Sequence, residues 1–256
     1  MKGLKKFFAP LAGILVFSGG VVLALPEIFR RRNRRWREFF YYFDLCGSQS
    51  LLIVLLICFL MGAVLGIQGA LQMSKVGTEI FMVDLIGFSV LKELGPLMVA
   101  IIATGRAGSA FAAEIGTMKV NEELSALQTL GIDPEGYLVI PKLAAMLLAM
   151  PLLTVCGDAA GIMGGMCVGV SVSDIPMAAY WTRTVDVLDI ASVLSGLVKS
   201  VVYGILITLS GCYCGFASSG DAQGVGRAAT QAVVISIFLV VVSDAVMTLL
   251  FSFVGW

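Results

Sequence analysis

The sequence is expected to fold as an all-α integral membrane protein, and three features carry that expectation. Of 256 residues, 59% are hydrophobic and only 13% charged, where a soluble domain carries about 25% charged residues. Mean hydropathy is +0.97. Several apolar stretches reach the roughly 20 residues needed to cross a ~30 Å hydrocarbon layer, and helices satisfy their own backbone groups there. The whole of 1–256 reads as one membrane domain, with about 1–45 an interfacial, basic segment and about 50–256 the transmembrane bundle.

Hydropathy places the spans at about Ser50 to Leu71, Leu85 to Ile115, Val139 to Val170, Val193 to Phe216 and Ala232 to Phe253. Phe7 to Pro26 is also uncharged, but Pro10, Gly13 and the pair Gly19-Gly20 interrupt it. Lys2, Lys5 and Lys6 flank one end, and Arg30, Arg31, Arg32, Arg34, Arg35 and Arg37 the other. A spanning helix would strand one basic cluster outside, so the segment is expected to lie in the inner interface. A cleaved signal peptide is disfavoured for want of a small-residue cleavage site. Five spans with a cytoplasmic N-terminus put the loops at Glu122 and Arg227 inside and those at Lys75 and Asp174 to Asp189 outside.

The charge balance, 17 basic against 17 acidic, hides a lopsided distribution, because nine of the basic residues precede Leu45. The chain has no histidine, which removes the usual general base and the commonest metal ligand. Its six cysteines, Cys46, Cys58, Cys156, Cys167, Cys212 and Cys214, lack zinc-site spacing and read as small buried apolar residues. Neither a metal site nor catalytic residues are expected.

Small residues recur at helical spacing. Gly157, Gly161, Gly165 and Gly169 form a flat stripe on the third span. The second carries Gly105, Ser109 and Ala113 on one ridge and Gly108, Ala112 and Gly116 on the next, and the first carries Gly62, Gly66 and Ala70. Spacing does not separate an internal contact from a dimer contact.

Charges inside apolar spans are costly, by ~2.5–3.5 kcal/mol for a central Asp, Lys or Arg, so each needs a reason. The second span holds Lys92, Glu93, Arg106 and Glu114. Glu93 precedes Gly95-Pro96, where a helix is expected to kink, and could line a cavity. The alternative is a buried ion pair with Lys92 or another helix. Arg106 and Glu114 are about 12 Å apart along a helix, too far to pair. Asp158 and Asp244, deep in the third and fifth spans, read as structural hydrogen-bonding groups, with an ion path as the alternative.

Between the second and third spans runs Glu122-Glu123-Leu-Ser-Ala126-Leu127-Gln-Thr-Leu130-Gly131-Ile-Asp-Pro134. Asn121 and the two glutamates suit a helix start and Gly131 its end. Leu124, Leu127 and Leu130 give the short helix an apolar edge able to enter a partner's groove. The chain has no Walker A pattern, so nucleotide hydrolysis would belong to another subunit.

Glu93-Leu-Gly-Pro96, Gly105-Arg-Ala-Gly-Ser-Ala110, Ala113-Glu-Ile-Gly-Thr-Met118, Glu122-Glu123-x-x-Ala126-Leu127 and Gly131-Ile-Asp-Pro134 with Ile140-Pro141 follow one another over about fifty residues. In these motifs the sequence resembles the MlaE/YrbE family, the permeases of MCE-associated ABC transporters. The resemblance implies an N-terminal amphipathic helix plus five transmembrane helices working as a homodimer in the bacterial inner membrane. It also implies two ATPase subunits, which bind the ATP, docked at Glu122 to Gly131, and a hexameric MCE-domain protein on the periplasmic face. The cargo would be a phospholipid, as in systems that keep outer-membrane lipid asymmetry, with Lys92 and Glu93 near its headgroup and Leu65 and Gln68 as pocket neighbours. No cofactor in this subunit and no nucleic acid are implied. The family often has arginine where this chain has Lys92, and lysine lacks the bidentate phosphate fork. The rival class is an ion-coupled secondary transporter working through Glu93, Asp158 and Asp244.

Overall fold

The computed structural model describes residues 13–14, 16–21, 36–75, 78, 80–173 and 175–254, and over these the chain is helical. The long elements are α1 (Trp36–Met73), α2 (Phe81–Val120), α4 (Pro134–Val172), α6 (Ile190–Phe216) and α7 (Ala222–Val254). Two short helices connect them, α3 (Glu123–Thr129) and α5 (Met177–Val187). The five long helices are each apolar enough to cross a membrane, so the chain is an all-α integral membrane protein. Each starts earlier than hydropathy indicated, because polar first turns such as Gln223 to Arg227 continue a helix without being apolar. The stretch from Asp174 to Asp189, expected as a loop, contains α5.

By compactness the chain divides into two units, the first comprising 1–46, 103–149 and 204–240 and the second 47–102, 150–203 and 241–256. In the first, the helical residues 16–21 bury Phe17 and Val21, and the Phe17 ring lies 6.0 Å from that of Tyr213 and 5.7 Å from that of Phe216. One apolar face of the N-terminal segment thus packs on α6. The basic clusters Lys2 to Lys6 and Arg30 to Arg35 lie outside the described residues. Gly108 and Gly211 bring α2 and α6 together, since a β carbon on Gly211 would stand 2.7 Å from the Gly108 carbonyl oxygen.

The link from α3 to α4 explains the motif Gly131-Ile-Asp-Pro134. Gly131 takes φ 70, and the amides of Gly131 and Ile132 donate to the carbonyls of Gln128 and Leu127, the closed C-terminal turn that a left-handed glycine permits. Asp133 accepts from the Gly136 amide at 2.9 Å, capping α4, and Pro134 occupies the first helical position, where no amide is needed. The start of α3 differs from expectation. Glu122 sits at φ 60 without a side-chain cap, and Asn121 donates to the Glu123 carboxylate instead of capping the backbone.

In the second unit, the glycine stripe of α4 is internal. A β carbon on Gly62 would stand 1.8 Å from the Gly161 carbonyl oxygen, and one on Gly164 would stand 2.0 Å from that of Phe59. Gly157 lies against Cys58, while Gly165 and Gly169 receive the Tyr180 ring of α5. Helix α5 is fixed to α2 by Arg183, whose Nε and Nη2 donate to Asp84 at 2.7 and 2.5 Å. That carboxylate raises the Arg183 guanidinium further above its ordinary value. Cys46, Cys58, Cys212 and Cys214 are buried as expected, whereas Cys167 is exposed and Cys156 half-buried.

Candidate functional site

Within the second unit, α2 widens into a π-helical turn at Val90–Leu94. Pro96 has no amide to give to the helix, and the Gly95 amide bonds five residues back to Val90 instead of four. The expected kink is therefore a local widening through which α2 continues, and it carries Lys92 and Glu93. Gly196 of α6 comes so close that a β carbon would stand 2.4 Å from the Leu91 carbonyl oxygen. That approach brings Lys199, one turn further along α6, within reach of Glu93.

Lys199 is the centre of the site and is 2% exposed. Its ammonium donates to Glu93 Oε2 at 2.6 Å, to Asp244 Oδ1 at 2.9 Å and to Thr248 Oγ1 at 2.8 Å, which uses all three N–H bonds. Thr248 donates onward to Glu93 Oε1 at 2.6 Å, and Tyr203 donates to Asp244 at 2.6 Å. Both carboxylates are thus held by one cation, at a formal charge of −1, and no acid is left bare. The alternatives open for Glu93 close on an ion pair with another helix, not with Lys92. Among the described residues Lys92 has no carboxylate within ion-pair distance, and its Nζ lies 5.4 Å from the centre of the Phe88 ring.

This cluster opens on a cavity of about 260 Å³ lined by Lys92, Glu93, Ser195, Lys199, Thr248, Phe251 and Ser252. Leu65 and Gln68 are not among its walls. Leu65 packs on the apolar cluster around Met82, Ile86 and Tyr180, and Gln68 is exposed. Asp158, expected to be hydrogen-bonded, is not: its Oδ1 has no partner among the described residues.

The first unit holds a different cluster. Lys142 of α4, 0% exposed, donates to Glu114 at 3.1 Å and to the Tyr42 hydroxyl at 2.8 Å, and that hydroxyl donates to Glu114 at 2.6 Å. The ammonium also lies 4.2 Å from the Tyr42 ring centre and 5.7 Å from that of Phe111. Beyond it, α3 presents Glu122, Glu123, Ala126 and Leu130 to the outside. The expected three-leucine edge is shortened, because Leu124 is buried while Leu130 is 74% exposed. Gly105 is open, with nothing within 4 Å of a β carbon placed on it, whereas Gly108 lies 3.2 Å from Ile207 in the same sense.

The sequence pattern of the family described as Permease MlaE matches residues 39–250. The chain belongs to the MlaE permease family. A probable ABC transporter permease protein of Rickettsia conorii is 42% identical over 205 residues, 80% of this chain and 79% of its own length. The intermembrane phospholipid transport system permease protein MlaE of Haemophilus influenzae is 32% identical over 245 residues, 94% of this chain and 92% of its own. A probable ABC transporter permease protein of Synechocystis is 34% identical over 241 residues, covering 94% and 90%. Lys199, Tyr203 and Lys142, which complete the two clusters of this MlaE-family chain, carry one signal in the sequence: Lys199 and Tyr203 are polar groups four apart in an apolar run.

Proposed function

We propose that the chain is the membrane permease subunit of an ABC transporter that moves phospholipids between the inner membrane and a periplasmic MCE-domain protein. The observation that carries the reading is a polar cavity set into apolar spans, with Lys92, which has no carboxylate partner among the described residues, beside two carboxylates already bonded to Lys199. Because Lys199 occupies Glu93 and Asp244, Lys92 remains available for an anionic phosphate. Phe251 supplies apolar wall beside it. Leu65 and Gln68 would join the lipid from a second copy of the chain, whose contact we assign to the open ridge at Gly105, Ser109 and Ala113.

Helix α3 is the docking element for the ATPase in this reading. Glu122, Glu123 and Ala126 are exposed beside Leu130, and Gly131 closes the helix so that its shape is fixed. Two ATPase subunits would bind and hydrolyse the ATP, and this subunit would contribute no covalent chemistry. The N-terminus and α3 would both face the cytoplasm. The Lys142 cluster supports the role given to α3 as a coupling element, because it ties α2 to α4, the helices on either side of α3, and so would carry a movement of α3 into the bundle.

Changing Glu122→Lys together with Glu123→Lys is expected to abolish lipid-stimulated ATPase activity in the assembled complex. Unchanged stimulation would count against the assignment. An ion-coupled transporter is less well supported, because Glu93 and Asp244 are both committed to Lys199, and Asp158 lines a different cavity. Transport by the isolated chain driven by an ion gradient would favour it instead.

A further inference from the structure

The second unit contains another cavity, of about 330 Å³, walled by α4, α5, the start of α6 and the π-helical turn of α2, with Leu91, Asp158, Ile162, Trp181 and Val193 among its lining. It is distinct from the Glu93 cavity, because the turn gives Leu91 to one and Lys92 and Glu93 to the other. Its lining is apolar except for Asp158, Thr184 and the indole N–H of Trp181, and the Thr184 hydroxyl is spent on the Tyr180 carbonyl at 2.9 Å. Asp158 is therefore the side-chain acceptor the cavity offers.

That carboxyl is 8% exposed, and its Oδ1 lies only 1.7 Å from where a β carbon on Gly95 would stand. It fits there because Gly95 has no side chain. Oδ1 finds no hydrogen-bond partner among the described residues, and Lys199 has all three of its donors engaged elsewhere. Buried polar groups are almost always hydrogen-bonded, so a carboxyl for which no hydrogen bond is found among the described residues is open to a partner that arrives with a ligand. Oδ1 is sealed against Gly95, so a ligand meets Asp158 through its other oxygen, the residue being part of the cavity wall.

The cavity's chemistry selects its occupant. Trp181, Met163 and Val155 are 59%, 54% and 49% exposed along its rim, and α4, which carries Met163 and Val155, is apolar enough to have the bilayer as solvent, so what enters is aliphatic. An ionised carboxyl only accepts, and a protonated one donates once and still accepts, so in either state it can take a proton donor. Ester carbonyls have no proton to give, whereas a free hydroxyl does. A volume of about 330 Å³ is at the lower end for ligand pockets, roughly 300–1,000 Å³, and suits one chain better than two.

We propose that this cavity binds a single-chain-width lipid segment bearing a free hydroxyl, with the hydroxyl on the Asp158 carboxyl and the chain leaving past Trp181. This is a binding site in its own right and does not depend on the transport reading.

The test uses the full chain in lipid nanodiscs with two photoactivatable probes, a long-chain primary alcohol bearing a mid-chain diazirine and the matched alkane. The alcohol is expected to label peptides of α4 and α5 about fivefold more than the alkane, the ratio one net hydrogen bond yields. In Asp158→Leu that preference should vanish while alkane labelling persists, and Ala159→Trp should suppress both. Competition by unlabelled alcohol on the unmodified chain gives the same answer should a variant fail to fold. Equal labelling by alcohol and alkane, a preference that survives Asp158→Leu, or absence of competition would overturn the proposal. No ATPase partner enters the measurement, so its failure leaves the transport reading intact.

Discussion

The two lysine clusters are built from the same parts and end in opposite conditions. In each unit an almost wholly buried lysine holds a glutamate of α2, and a tyrosine hydroxyl completes the network. At Lys142 one cation meets one carboxylate, and two aromatic rings cover it. At Lys199 one cation meets two carboxylates, the nearby Lys92 has no carboxylate partner among the described residues, and a cavity opens beside them. The first arrangement is a closed brace, satisfied within the chain. The second has polar capacity beyond its own needs, and that surplus separates a binding site from a structural ion pair.

Removing each cation measures the difference. Lys199→Met leaves Glu93 and Asp244 facing each other without a counter-charge and is expected to cost about 3–5 kcal/mol, the range for breaking a buried pair. Lys142→Met should cost less, about 1–3 kcal/mol, because it strands one carboxylate where Lys199→Met strands two, and Glu114 keeps the Tyr42 hydroxyl. Unfolding of both variants in one detergent decides it, and equal losses would erase the distinction.

A similar loss is expected from packing in the second unit. Gly62→Ala pushes a methyl group into the Gly161 carbonyl and should cost about 1–3 kcal/mol. Lys92→Gln separates binding from stability. Its melting temperature should match the parent, while phospholipid retained through purification, read by mass spectrometry, should fall about tenfold for loss of one charged hydrogen bond. Retention unchanged in that variant would return Lys92 to a spectator role. The smallest effect is expected at Gly105→Ala, within about 0.5 kcal/mol in the monomer, since nothing stands within 4 Å. Loss of the dimer in Gly105→Leu, measured by native mass spectrometry, would locate the self-contact there.

Elements legible in the linear chain were those whose cause is local. Apolar length set the number of spans. Gly131, Asp133 and Pro134 mark a helix end and a helix start by their own backbone chemistry, and Gly95-Pro96 marks the disturbance beside Glu93. The glycine stripe of α4 announced close packing, yet only its neighbours Phe59, Cys58 and Tyr180 reveal that the contact is internal. Helix α5 was missed because its polar residues alternate with Trp181 and Val185 over too few turns to read as a span. The capping role given to Asn121 failed because Glu122 turns left-handed first.

The sequence by itself determined a five-span helical membrane protein, the family it belongs to, and the turn that carries Lys92 and Glu93. Only the tertiary structure decided which charges meet. Lys199 lies 106 residues from Glu93 and 45 from Asp244, and an apolar solvent forces such charges to find each other across helices while leaving no trace in local spacing. The same holds for Asp158, whose want of a hydrogen-bond partner among the described residues is a property of what surrounds it and not of its place in the chain.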